Sequence, residues 1–263
     1  MQQHIKLDFF ARSVEFDMQL DRMFPQDAAV TACLQRYGCC EPEVCHLMVR
    51  ALQAGDHAID VGASVGFFTL LMAKLVGDSG AVSAFEPTPA AWIKLQENAV
   101  VVNKQHNVIT RGVALGAKRD RKLFYSHVDS GSNSFAPGED NVCSTMLDVK
   151  PLNDFHQPTK LIKIDAEGAE EQILRGATDF FPDTEYIVCE YNMAALTRQG
   201  SNGAALRNTA LEHGYQTFLL QADGGLPVLV PRNTILLARR VNTNILFSTS
   251  EAVAKAWPSI DVL

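Results

Sequence analysis

The chain has 263 residues, 47% of them hydrophobic and 20% charged, which is enough for one sizeable core and too little charge for a disordered chain. A formal net charge of −7 with no basic stripe excludes a phosphate-neutralising surface for nucleic acid. No apolar run reaches the ~18 residues that span a bilayer. The opening MQQHIKLDFFARSVEFD lacks a cationic stretch followed by an apolar block, so a cytoplasmic chain without membrane contact is expected. The six cysteines show no C-x-x-C spacing, and a reducing compartment predicts no structural disulfides.

Residues 1–40 read as an irregular or partly helical lead-in, with Phe24, Arg36 and Tyr37 as candidates for shaping an acceptor pocket. The rest, 41–263, reads as one α/β domain. Glu41 to Ala54 has helical apolar spacing, Pro42 in its first turn and Gly55 just beyond it. Strands are then predicted at His57–Gly62, Ala81–Phe85 and Asn107–Leu115, with helices at Phe67–Leu75 and Ala90–Val101 between them. Residues 119–149 read as an irregular insertion with short strands at Lys122–Ser126 and Ser144–Leu147. The basic run Lys118–Lys122 reads as its solvated hairpin tip. Further strands follow at Lys160–Asp165 and Glu185–Glu190, with a helix from Ala169 to Leu174 closed by Gly176 and another over Asn202–His213. Gln216–Gln221 and Thr234–Arg239 are separated by too little chain for a crossover helix, so they are expected to pair antiparallel. The alternation predicts a mostly parallel, seven-stranded sheet with a C-terminal antiparallel strand and helices on both faces.

The strongest local pattern is Asp60-Val-Gly-Ala-Ser-Val-Gly66, between an apolar strand and an apolar helix. Gly62 allows a sharp turn and close approach of a ligand, and Gly66 allows close packing of the helix. Neither G-x-G-x-x-G nor G-K-[ST] is present, which disfavours a nicotinamide oxidoreductase and a P-loop. A carboxylate at the glycine turn suits a zwitterionic amino-acid group better than a polyphosphate. Glu86 ends the next strand, followed by Pro87, and a carboxylate there can accept both hydroxyls of a ribose. The small residues Gly112-Val-Ala-Leu115, with Ala114 at their centre, are placed to sandwich an adenine ring.

With A-F-E-P-T-P, L-Q-E-N and Lys163-Ile-Asp-Ala-Glu-Gly-Ala-Glu170 followed by Leu174-Arg-Gly176, the pattern resembles the FkbM family of methyltransferases over roughly residues 38–191. The resemblance implies a class I, Rossmann-like fold and S-adenosylmethionine as cofactor, contacted at Asp60, Gly62 and Glu86. Ser64 departs from the family, which usually has Asn there; a serine can bond to the cofactor or cap the helix.

Lys163, Asp165 and Glu167 are the candidate catalytic or acceptor-binding groups, expected on one face of an extended strand at the switch point of the sheet. Glu190, ending the next strand, is placed to join them, and Glu170 and Glu171 suit the start of the following helix. A salt-bridge network that merely holds the strand ends is the competing reading. Two carboxylates without a third obvious ligand give no metal site. His127 and His156 are weaker candidates for a base, and Gly131–Phe135 reads as a loop over the cofactor. The expected reaction is O-methylation of a small molecule, sugar or secondary metabolite, in a chain compatible with a homodimer. The alternatives are N-methylation of a peptide or protein side chain, and a non-catalytic binding or scaffold module.

Overall fold

The computed structural model describes residues 2–9, 12–21, 25–127, 133–137, 141–236 and 243–258. The chain opens on an antiparallel hairpin, β1 (Gln2–Phe9) and β2 (Arg12–Gln19), where an irregular lead-in was expected. The signal is a period of two: Ile5, Leu7 and Phe9 alternate with charged residues, as do Val14, Phe16 and Met18, and all six are buried. Their inward face joins the core of the following domain. Arg12 fastens the hairpin by donating to the carbonyls of Val49 (2.8 Å) and Leu52 (2.6 Å), at the end of a later helix.

Helix α1 (Pro25–Tyr37) leads to α2 (Pro42–Ala51), β3 (His57–Val61), α3 (Phe67–Val76), β4 (Ala81–Phe85) and α4 (Pro89–Gln96). A π-helical turn over Glu97–Val102 then precedes β5 (Val108–Arg111). The third predicted strand is split, because Ala114–Leu115 (β6) leaves the main sheet. It pairs in a small separate sheet with β8 (Asn141–Lys150), itself antiparallel to β7 (Asp120–His127). The basic run Lys118–Lys122 is exposed, as expected, but it leads into β7; the β7–β8 connection lies at the other end of the hairpin.

Next come β9 (Leu161–Ile164), α5 (Glu170–Arg175), β10 (Tyr186–Tyr191), α6 (Met193–Arg198) and α7 (Gly203–Glu212). The chain closes with β11 (Gln216–Leu219), β12 (Val228–Val230), β13 (Thr243–Ser248) and α8 (Ser250–Ala256). The main sheet runs β12-β11-β13-β10-β9-β3-β4-β5, with β5, β4, β3, β9 and β10 parallel. Strand β13 lies between β10 and β11, antiparallel to both. The mostly parallel sheet with a closing antiparallel strand is thus as predicted. The closing strand, however, is Thr243–Ser248, not Thr234–Arg239, of which Thr234–Leu236 is irregular. Short β12 adds an edge strand that the patterning did not reveal.

One face of the sheet packs with α2, α3, α8 and the hairpin, the other with α5 and α7. The chain winds outward from β3 in one direction and from β9 in the other. The connections that leave their carboxyl ends therefore run in opposite directions, which favours a cleft beyond those ends.

Candidate active site

At the end of β3 the glycine turn is tied to its neighbour strand: Gly62 and Ala63 both donate to the Phe85 carbonyl (2.9 and 3.0 Å). Gly62 and Ser64 adopt left-handed backbone, φ 77° and 49°. That conformation is natural for glycine and tolerated by Asn; Ser64 holds it at some cost. Ser64 does not cap α3, whose N-cap position is Gly66 without a side-chain bond. A β-carbon on Gly66 would lie 2.8 Å from Leu95 Cδ1, so the neighbour this glycine accommodates is α4 and not the helix it opens.

Glu86 is buried at the end of β4. Its Oε2 accepts from the Ser64 amide and its Oε1 from the Thr88 amide, both at 2.8 Å. Burial raises its pKa, against the two amides, which favour the charged form. A carboxylate offers about four acceptor positions, so two bonds orient the group without exhausting it. Glu86 lines a cleft with Gly62, Ser64, Pro87, Ala114, Asp165 and Glu167. Val61, Phe85, Val113, Leu115, Ala169 and Ile173 give it apolar walls.

Asp60, Gly66 and Lys163 sit behind this cleft rather than in its lining. Asp60 is buried; its Oδ2 accepts from the Thr69 hydroxyl (2.6 Å), while Oδ1 has no hydrogen-bond partner among the described residues. Burial raises its pKa, and Lys163, its neighbour in the β3–β9 register, opposes the rise. Lys163 is 2% exposed, with its ammonium 3.0 Å from Asp165 Oδ2 and 4.6 Å from the Phe68 ring centre. Burial works against its charge, but Asp165, Glu41 and Asp60 outweigh that and hold it above the usual lysine range.

The expected alternation of Lys163, Asp165 and Glu167 along one strand does not occur, because β9 ends at Ile164. The loop beyond it brings Asp165, Ala166 and Glu167 to the cleft, with Glu167 in left-handed backbone at φ 52°. Glu170 fixes this loop: its buried Oε1 accepts from the amides of Ala166 (2.9 Å) and Gly168 (3.1 Å). Its role is thus bonding into the loop, whereas Glu171 pairs with Arg175 along the helix. Glu190, 8% exposed on β10, brings one carboxylate oxygen into a group with Asp165 and Glu167 whose members lie within 4.8 Å of one another. The fold thus brings Glu190 to the two loop carboxylates, where its place at the end of the next strand puts it. Burial, then Asp165, Glu167, Glu170 and Glu41, push the Glu190 carboxyl up to about 10.

The insertion contributes Phe124, Asn133 and Phe135 to the cleft, with Phe124 and Phe135 edge to face at 5.3 Å. Tyr125 and Ser134 exchange backbone bonds (2.8 and 3.1 Å) that dock this strip on β7. Gly131 and Ser132 lie outside the described residues. From the N-terminal segment it is Val30 that lines the cleft; Arg36 and Tyr37 are exposed and stack on each other, and Phe24 lies outside the described residues. His156 packs on Phe180 and faces Asp183, away from the cleft, and the His127 side chain is outside the described residues. Two contributors went unread in the sequence. Val30 carries no local signal. Glu41, read only as a helix start, accepts with Glu43 from Asn244 Nδ2 (both 3.0 Å), 201 residues or more along the chain.

A doubly wound sheet closed by an inserted antiparallel strand, with a carboxylate–glycine turn and a second carboxylate at consecutive strand ends, defines the class I methyltransferase type of fold. The family model described as "Methyltransferase FkbM domain" matches residues 60–217, and the chain belongs to that family. "Methyltransferase 1" of Beauveria bassiana is 30% identical over 147 residues, 46% of this chain and 58% of that protein, so the chain spans little more than half of this relative. Methyltransferase FkbM from Methylobacillus flagellatus KT is similar in structure at a TM-score of 0.49 and 18% identity, over 88% of this chain and 56% of that one. Aeropyrum pernix fibrillarin, solved with natively bound S-adenosyl-L-methionine, is similar at 0.44 and 12%, over 79% and 76%. Among the described residues no helix is long and apolar enough to cross a membrane.

Proposed function

We propose that this chain is an S-adenosylmethionine-dependent methyltransferase acting on a hydroxyl of a small molecule, sugar or secondary metabolite. Glu86 carries the reading: a buried carboxylate, fixed by two backbone amides and exposed to a cleft with apolar walls, suits the paired hydroxyls of a nucleoside. Three further features fit the cofactor. The turn at Gly62 lines the cleft, Asp60 behind it keeps Oδ1 without a hydrogen-bond partner among the described residues, and the wall at Val113–Leu115 suits an adenine. When bound, the cofactor supplies an electrophilic methyl group that already carries its leaving group.

This chain's residues then orient the acceptor, exclude water and take a proton. Asp165 and Glu167 are the carboxylates in the cleft that serve an acceptor hydroxyl, and Lys163 is a positioning residue that holds Asp165 through its 3.0 Å bond. Residues 1–40 act as the acceptor-facing segment, through Val30, and 41–263 as the cofactor-binding domain. The Phe124–Phe135 pair beside the carboxylates favours a compact acceptor over an extended peptide.

Calorimetric titration with S-adenosylhomocysteine tests the reading, using the wild type and Glu86→Ala. Loss of two hydrogen bonds to a carboxylate is expected to weaken binding by roughly 30- to 150-fold. Folded wild-type protein that binds neither this ligand nor S-adenosylmethionine would sink the reading and favour a scaffold module.

A further inference from the structure

We propose that Asp165, Glu167 and Glu190 form a binding site for a hard divalent cation of the Mg²⁺ or Mn²⁺ type, at the edge of the cleft that Asp165 and Glu167 line. One oxygen from each residue lies within 4.8 Å of the other two. Two oxygens on one ion lie at most about 4.2 Å apart at Mg²⁺ distances and about 5 Å apart at Ca²⁺ distances, so the triad can close on a single ion with a small side-chain adjustment. The donors are all carboxylates, a set that suits Mg²⁺, Mn²⁺ or Ca²⁺ and not the thiolate- and imidazole-bound metals.

Acidic clusters are common without an ion, and a second observation separates this one. Glu190 is more than nine-tenths buried, and its Oε2 makes no hydrogen bond among the described residues. A buried carboxylate without a partner is costly unless a cation or proton meets it. The charges that act on Glu190 most strongly are all carboxylates: Asp165, Glu167, Glu170 and Glu41. Lys163 bonds to Asp165 Oδ2, and a carboxylate has acceptor positions beyond that one bond.

Three protein oxygens fill half of a six-coordinate shell and leave neighbouring positions open. The site's use rests on the methyltransferase reading: an acceptor presenting two adjacent oxygens would occupy the open positions, and the ion would polarise the hydroxyl that accepts the methyl group. The acceptor class is then a vicinal diol, a catechol-like pair or a hydroxy-carbonyl unit.

The test is titration of the cofactor-free protein with MnCl₂, with free Mn²⁺ followed by electron paramagnetic resonance. The same titration is run on Glu190→Gln and Glu167→Gln, and S-adenosylhomocysteine affinity is measured in parallel. One Mn²⁺ per chain is expected, displaced by excess Mg²⁺, with affinity lowered more than about tenfold in each variant while cofactor affinity stays within about twofold. Glu167→Gln, in the partly exposed loop, covers the case in which Glu190→Gln does not fold. No Mn²⁺ binding at millimolar concentration by folded wild type would overturn the proposal and point to an ammonium-bearing acceptor against these carboxylates. Binding unchanged in both variants would overturn it as well, by placing the ion elsewhere. Neither outcome touches the methyltransferase reading, which stands or falls on the cofactor titration.

Discussion

The backbone carbonyl of Asp165 occupies the space a side chain at Gly62 would need: a β-carbon there would fall 1.7 Å from that oxygen. The glycine turn after β3 and the acidic loop after β9 are therefore a single packed unit. The Asp165 amide donates to the Val61 carbonyl (3.0 Å) and completes the join. Placement of the cofactor-facing turn and of the acceptor-facing carboxylates is coupled through main chain.

Gly62→Ala is accordingly expected to be severe. It forces a β-carbon into left-handed backbone, about 1–2 kcal/mol, and into an occupied site, a further 1–3 kcal/mol. Gly38→Ala is the control: Gly38 has a similar φ of 75° but meets nothing within 4 Å, so only the backbone part applies. Urea unfolding of the two variants should show Gly62→Ala to be the more destabilised by over about 1 kcal/mol. Equal losses would mean that the Asp165 loop moves freely away.

Lys163→Met is expected to destabilise the protein by about 3–5 kcal/mol at neutral pH, the usual cost of stripping the partner from buried charge. Methionine can still pack under Phe68, where the lysine now lies. The pKa of Lys163 is raised in the fold, so its contribution is complete throughout the acid and neutral range and is lost only at strongly alkaline pH. The variant instead leaves Asp60, Glu41 and Asp165 uncompensated. Its deficit should shrink towards pH 5, because burial already raises the pKa of Glu41 and of Asp60 and both then take protons. Chemical denaturation at pH 5 and pH 7.5 checks this, and a deficit independent of pH would contradict it.

Glu170 gives a pH effect that can be isolated. Burial pushes its carboxyl up to about 7 from an ordinary value of 4.5. A raised folded-state pKa in an acid favours folding below the unfolded value, and that stability is lost as pH rises through the folded value. Glu170 should therefore cost stability progressively between about pH 4.5 and 7. Glu170→Gln keeps an acceptor oxygen for the amides of Ala166 and Gly168 and cannot ionise. Its melting temperature should fall less than that of the wild type between pH 5 and 7.5, and parallel curves would place the titration elsewhere.

The sequence by itself determined the alternating core of the fold, because apolar runs such as Ala81–Phe85 and Leu161–Ile164 are buried on both faces and are punctuated by glycine and proline. It also determined the two strand-end carboxylates, Asp60 and Glu86, since a strand end followed by a tight turn is a local event. The N-terminal hairpin was legible as well, in the alternation of Ile5, Leu7, Phe9 and their partners, although it reads as a lead-in when searched for helices. Strand β13 was missed because its apolar run Ile245-Leu-Phe is short; its identity comes from the gap between β10 and β11 that it fills. Which charges meet was decided only by tertiary structure. Asp165 and Glu167 reach the cleft through a loop, Glu190 arrives from the next strand, and Glu41 is linked to Asn244 from the far end of the chain. Local pattern reports the face and period of one segment, whereas electrostatic energy depends on distances between segments, and those exist only once the sheet has closed.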